Sequence, residues 1–198
     1  MVAGALFVLM EIGFILTYTS ESFLEAAENP LWQATNAVAV IAFAVAIPAV
    51  MGLYRQQAEE SGPFGLVAAG ALCAGLVLAA GAMWASLFVV PWLATNAPEL
   101  LAEEASGGSV DLGYMLSFIA LGLGLVLFGI STWLSGVYAR WMAVAIIVGG
   151  IAGSMPFVPF GPGFVAGAAF VGYGLSLRHK VHALEASEAH VMPPGAPA

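Results

Sequence analysis

Apolar runs about as long as a membrane is thick recur six times along the chain, each bounded by polar residues, Gly or Pro. They cover 2–19, 33–54, 64–90, 111–135, 138–155 and 161–177. A helix needs about 20 apolar residues, with a range of about 17–25, to cross a hydrocarbon core of roughly 30 Å. Lipid offers no hydrogen-bond partners, so a spanning segment must satisfy its backbone internally and is expected to be helical. The strict period-2 alternation of a barrel strand is absent. The pattern predicts an all-α polytopic integral membrane protein. Six transmembrane helices would form one bundle over 1–178, followed by a partly disordered cytoplasmic tail, 179–198.

The polar positions between the runs orient them. Arg55 follows the second run, Arg140 lies between the fourth and fifth, and Arg178 and Lys180 follow the sixth. Basic residues stay on the cytoplasmic side, so these places alternate as they should if both termini are cytoplasmic. The opposite loops carry Glu21, Glu25, Glu28, Glu99, Glu103, Glu104 and Asp111, with no Lys or Arg. Aromatic rings favour the headgroup level. Tyr18, Trp32, Trp92 and Tyr114 fall at the outer ends of runs, and Tyr54, Trp133, Tyr138 and Trp141 at the inner ends. Trp32, Trp92, Arg55, Trp133, Arg140 and Trp141 are therefore the expected interfacial anchors. Trp84, inside the third run, is expected to face lipid or a neighbouring helix.

Composition narrows the class. The 198 residues are 61 % hydrophobic and 8 % charged, against about 45–50 % apolar and 25 % charged in a soluble domain. One cysteine, Cys73, excludes a disulfide scaffold, and twelve acidic against four basic residues excludes a nucleic-acid binder. The first run is not expected to be a signal peptide. It lacks a basic leader, Glu11 interrupts it, and no A-x-A site follows.

Short connections imply close neighbours. Ser135-Gly136-Val137 barely separates the fourth and fifth runs, which should pair as an antiparallel hairpin. The Pro/Gly-rich stretch 156–163 reads as a stiff turn. Gly149/Gly153 and Gly163/Gly167 have G-x-x-x-G spacing, Ala42/Ala46 are similarly spaced, and Gly70, Gly75 and Gly81 ladder the third run. Such small residues suit tight helix contacts. Ala34-Thr35-Asn36-Ala37 and Ala94-Thr95-Asn96-Ala97 repeat after a Trp, but one enters a run and the other leaves one, so an internal repeat is not expected.

One ionisable side chain, Glu11, falls inside a run. An ionised carboxylate at the bilayer centre costs about 2.5–3.5 kcal/mol on insertion scales, so either a proton or cation site or a neutral hydrogen-bonding acid is expected. Pro48 has no N–H to give the Ala44 carbonyl, which makes that carbonyl the expected partner of a structural Glu11. Glu21, Glu25 and Glu28 are spaced for one helical face, as are Glu99 and Glu103, and they read as solvated interfacial helices without a metal. His179, His182 and His190 lie in the tail beside Arg178 and Lys180, and Cys73 reads as packing. No run contains His or Lys, a Cys pair, a Ser–His pair or a Gly-rich phosphate loop. No catalytic residue, cofactor or metal is expected, and an enzyme is not the expectation.

Residues 121–153 place Trp133 before a Ser135-Gly136 turn, then Arg140-Trp141, then Gly149-Gly150. This hairpin resembles a pattern in small six-helix bacterial integral membrane proteins of unknown function. The resemblance implies a bacterial plasma (inner) membrane location and carries over no activity or site. The expected role is a packing or interaction protein, an accessory subunit contacting the lipid bilayer and other membrane subunits or itself. The alternative is a small transporter or channel using Glu11 as proton or cation site. Six helices with both termini inside are also similar to substrate-capture subunits of bacterial vitamin uptake systems.

Overall fold

The apolar runs fold as helices and no strand occurs among the described residues. The computed structural model describes residues 1–17, 23–101, 108–154 and 162–191, the side chains of Ser109 and 179–191 excepted. The elements are α1 (Val2–Thr17), α2 (Phe23–Glu28), α3 (Leu31–Asn96), a 3-10 turn (Pro98–Leu101), α4 (Ser109–Ser135), α5 (Arg140–Gly153) and α6 (Pro162–Val191). Two of them, α3 and α4, are long and apolar enough to cross a membrane.

At 66 residues, a straight α3 would be about 100 Å long and hold Trp32 roughly 80 Å from Ser86. Instead the Trp32 indole N–H donates to the Ser86 carbonyl at 2.8 Å. The helix folds back on itself at Gly62, whose φ of 54° and ψ of −150° lie where only glycine is comfortable. Pro63 then opens the second limb, a position where its missing N–H costs nothing. The two limbs, 31–61 and 63–96, lie side by side and antiparallel around this elbow. A second reversal follows α4, where Gly136 adopts the left-handed conformation (φ 65°, ψ 4°) common just beyond a helix end.

The helices close a ring in chain order. α1 meets the first limb where Phe7 packs edge-on to Phe43, centroids 5.6 Å apart. The second limb meets α4 through paired glycines, since a Cβ on Gly75 would come within 2.5 Å of the Leu121 backbone and one on Gly124 within 2.6 Å of Leu72. Gly122 and Gly150 bring α4 against α5, Gly149 and Ala166 bring α5 against α6, and Gly4 and Gly167 bring α6 back against α1. Contacts this close strengthen dispersion between the helix backbones. Gly70 and Gly81, by contrast, face open space. Inside the ring lie Ala39, Ala46, Val50, Leu72, Leu76, Phe128, Ile146 and Ala169, all essentially inaccessible. Outside it, Leu9, Ile12, Ile41, Leu66, Val67, Val77, Leu78, Leu116, Leu123, Val144 and Val148 are exposed.

Several expectations change. The connection at 55–61 is helical, and only Gly62 breaks it. α5, with 14 residues, is shorter than the run 138–155, and α1 is helical over Val2–Thr17. α6 continues helically to Val191, so the first part of the tail extends the last helix. Trp32, expected as an interfacial anchor, is 1 % exposed and packs between the limbs, and Tyr138 is likewise buried. Trp92, Trp133, Trp141 and Trp84 are exposed, as are Arg55 and Arg140. The Arg140 guanidinium sits 5.4 Å from the Trp133 ring centre, a cation–π distance. Tyr18, Glu21, Glu103, Glu104, the stretch 156–161 and the side chains of His179, Lys180, His182 and His190 lie outside the described residues.

Candidate functional site

Two buried polar layers cross the bundle, one near each end. The first is built around Glu11. α1 runs antiparallel to α6, with Met1 against Gly174 and Gly4 against Gly167, which carries Glu11 to the first turn of α6. Glu11 is only 5 % exposed, and its carboxylate lies so close over Gly163 that a Cβ there would collide with Oε2. The first N–H groups of a helix have no intrahelical acceptor, and the helix dipole favours negative charge there. Pro162 and Gly163 leave the approach open, one lacking an N–H and the other a side chain.

The partnership of Glu11 with the Ala44 carbonyl does not fit this placement. Gly13 abuts Thr35 and Phe7 abuts Phe43, so Glu11 is level with about Val38. Ala44 therefore lies roughly 9 Å further along at 1.5 Å per residue. Ala44 and Pro48 are both on the exposed side of their limb. The physical reason is rotational. The inward face carries Ala39, Ala42, Phe43, Ala46 and Val50, and the proline occupies the opposite face.

Beside this layer the limbs of α3 are tied together. Ser86 receives the Trp32 N–H on its carbonyl, and its hydroxyl lies 3.0 Å from the Tyr114 hydroxyl on α4. Asn36 donates to the Trp32 carbonyl at 2.9 Å, and Asn96 donates to Trp92 at 2.8 Å. The two similar segments thus share a local bond but not an environment, since Asn36 is buried and Asn96 exposed. An open cleft of about 330 Å³ lies outside, lined by Glu28, Asn29, Gln33, Pro91 and Thr95 among others. Among the described residues, no three His, Cys, Asp or Glu side chains gather as a metal-binding group.

The second layer lies by the elbow and contains no charge. Gln57, Ser131, Thr132 and Tyr173 are each at most 1 % exposed. Ser135 approaches the Gln57 Oε1 at 3.3 Å and donates to the Thr132 carbonyl at 2.9 Å. Ser61 donates to the Gln57 carbonyl at 2.7 Å, and Thr132 to the Phe128 carbonyl at 2.9 Å. Tyr138 stands edge-on to Tyr173, centroids 5.0 Å apart. Gln57 Nε2 and Ser131 Oγ have no hydrogen-bond partner, and the Tyr173 hydroxyl meets the Thr132 side chain. Between the layers, Phe7 stacks on Phe170 at 5.7 Å and meets Phe43, forming an aromatic floor.

Sequence reasoning singled out Glu11 but missed both its neighbour on α6 and the whole elbow layer. The signal was present. Ser131, Thr132 and Ser135 put three hydroxyls into one turn of an otherwise apolar run, and Gln57 lies at the end of another. No family model, curated protein or solved structure matches this chain.

Proposed function

We propose that the chain is a six-span integral membrane protein of the bacterial plasma membrane, both termini cytoplasmic, that serves as a packing or accessory subunit of a membrane complex. The apolar belt on the outside of the ring supports immersion of the whole bundle, because soluble proteins rarely expose apolar patches of that extent. The exposed Arg55 and Arg140 lie toward the elbow end, with Glu28 and Glu99 at the other, which supports the orientation. The lipid bilayer is then the first partner and other membrane chains the second.

The observation that carries the subunit reading is the seating of Glu11. A coupling carboxylate must be reached by water and must change partners. Glu11 is enclosed, pressed on Gly163 and matched to a helix N-terminus, an arrangement suited to holding α1 against α6. The test is purification of the full chain in mild detergent with identification of whatever stays bound. Companion membrane chains in fixed ratio are expected, and a protein that always runs alone overturns the reading.

A transport reading draws on the two polar layers separated by the Phe7–Phe43–Phe170 floor. Glu11→Gln separates the two readings. It keeps shape and hydrogen bonding but cannot ionise. The subunit reading expects unchanged fold and unchanged companions, whereas the transport reading expects an intact fold with ion-coupled uptake abolished.

A further inference from the structure

The elbow layer has more hydrogen-bonding capacity than its own residues use. Two side-chain atoms on two different elements lack partners, Gln57 Nε2 on the first limb of α3 and Ser131 Oγ on α4, and Tyr173 on α6 is buried beside them. All three residues are at most 1 % exposed. They converge on the last turn of α4. Ser135 touches Gln57, a Cβ on Gly65 would lie 3.3 Å from Ser131 Oγ and against Ser61, and Thr132 lies beside Tyr173.

Rearrangement within the cluster does not remove the surplus. The protons of Ser61 and Thr132 are already given to helix carbonyls. The single Ser135 proton is closer to the Thr132 carbonyl than to Gln57. Turning the Gln57 amide so that it donates to Ser135 satisfies Nε2 and leaves Oε1 over instead. Either way the amide retains an unused group, and Ser131 retains a hydroxyl. A buried polar group without a partner costs more than an ordinary hydrogen bond gains, and a bundle that needed only packing here would be better served by Leu, Ala and Phe.

We propose that the elbow end of the bundle is a binding site for an uncharged molecule that both donates and accepts hydrogen bonds: ordered water, or a small hydroxyl- or amide-bearing solute in its place. The cluster of Gln57, Ser131, Thr132, Ser135 and Tyr173 carries no charge to balance an ion, which favours an uncharged occupant. A buried water makes about three hydrogen bonds to groups otherwise unsatisfied, which suits hydroxyls and an amide converging from three helices. The Phe7–Phe43–Phe170 floor separates the site from Glu11. The site does not depend on the subunit reading.

The test exploits a difference in sign. Removing a hydroxyl that has no partner relieves a penalty, whereas removing one that holds a ligand breaks a bond. With the full chain in detergent, Ser131→Ala is expected to lower the thermal midpoint by about 2–4 °C, and Gln57→Leu to lower it as well. Hydroxyl-radical footprinting of the parent, which labels side chains beside bound water, is expected to label Tyr173 despite its burial. If Gln57→Leu does not fold, Ser131→Ala and the footprint carry the same comparison. A high-resolution density map separates the sources, discrete peaks at hydrogen-bond spacing meaning water and continuous density meaning a solute. A midpoint that rises or stays fixed together with an unlabelled Tyr173, or a metal- or phosphate-like peak in the map, overturns the proposal.

Discussion

Glu11 shows how a single side chain takes its meaning from what it touches. A carboxylate in a hydrocarbon layer is costly, but the dipole at a helix N-terminus favours it by about 0.3–2 kcal/mol, and Glu11 lies over the first turn of α6. Gly163 permits that approach. Gly163→Ala is therefore expected to destabilise the protein by about 1–3 kcal/mol, the usual penalty for overpacking, read as a lower thermal midpoint in detergent. Shortening the partner in a Glu11→Ala/Gly163→Ala pair should recover part of the loss, and strictly additive effects would show that the two do not couple. Trp32 belongs at this scale too. Its position by a Pro at the edge of an apolar run reads as a headgroup anchor, as does that of Trp92, which is exposed. Trp32 differs because Ser86 presents a carbonyl to its N–H. Trp32→Phe should cost about 0.5–1.5 kcal/mol through that bond alone, measurable by the same melt.

At the scale of elements, apolar periodicity was a faithful guide to where helices lie and a poorer guide to where they stop. The polar segment Arg55–Ser61 looked like a loop because it is charged. Yet Gln56, Gln57, Ala58, Glu59 and Glu60 are good helix formers, and nothing interrupts the backbone until Gly62. The same reasoning covers α6, whose Ala- and Glu-bearing extension stays helical to Val191. Breaks were legible only through Gly and Pro, and the two glycine turns are not equivalent. Gly136 occupies the left-handed helical region (φ 65°, ψ 4°), which Asn tolerates. Gly62, at ψ −150°, occupies a region essentially closed to side chains. Gly136→Asn is accordingly expected to be mild, and Gly62→Asn to cost about 1–3 kcal/mol. Equal effects in paired unfolding measurements would contradict this account of the elbow. The elbow layer escaped notice for a related reason. Hydroxyls scattered among apolar residues read as packing until the fold brings three helices together.

For the whole molecule, the ring of helices and the apolar belt place chemistry at two ends and leave the waist bare. The proposed six-span topology makes a direct prediction. After Cys73→Ala removes the native thiol, single cysteines at 28 and 99 should react with a membrane-impermeant maleimide in intact cells. Cysteines at 55 and 140 should react only once the membrane is opened. Labelling of all four from one side would overturn the proposed topology. The partner of Glu11 was not legible for a reason that also belongs to this scale. Pro48 offered a local rule and a nearby candidate, whereas Gly163 becomes a neighbour only through closure of the ring, which neither apolar periodicity nor charge placement specifies.

That closure sets an order of events during synthesis. Synthesis runs from the N-terminus, so α1, bearing Glu11 and the Gly4 face, is made well before α6, the helix that covers both. α6 is the latch for α1. A chain halted after α5 would leave that side chain and that glycine face uncovered. Docking of α6, rather than placement of any earlier helix, is what closes the ring.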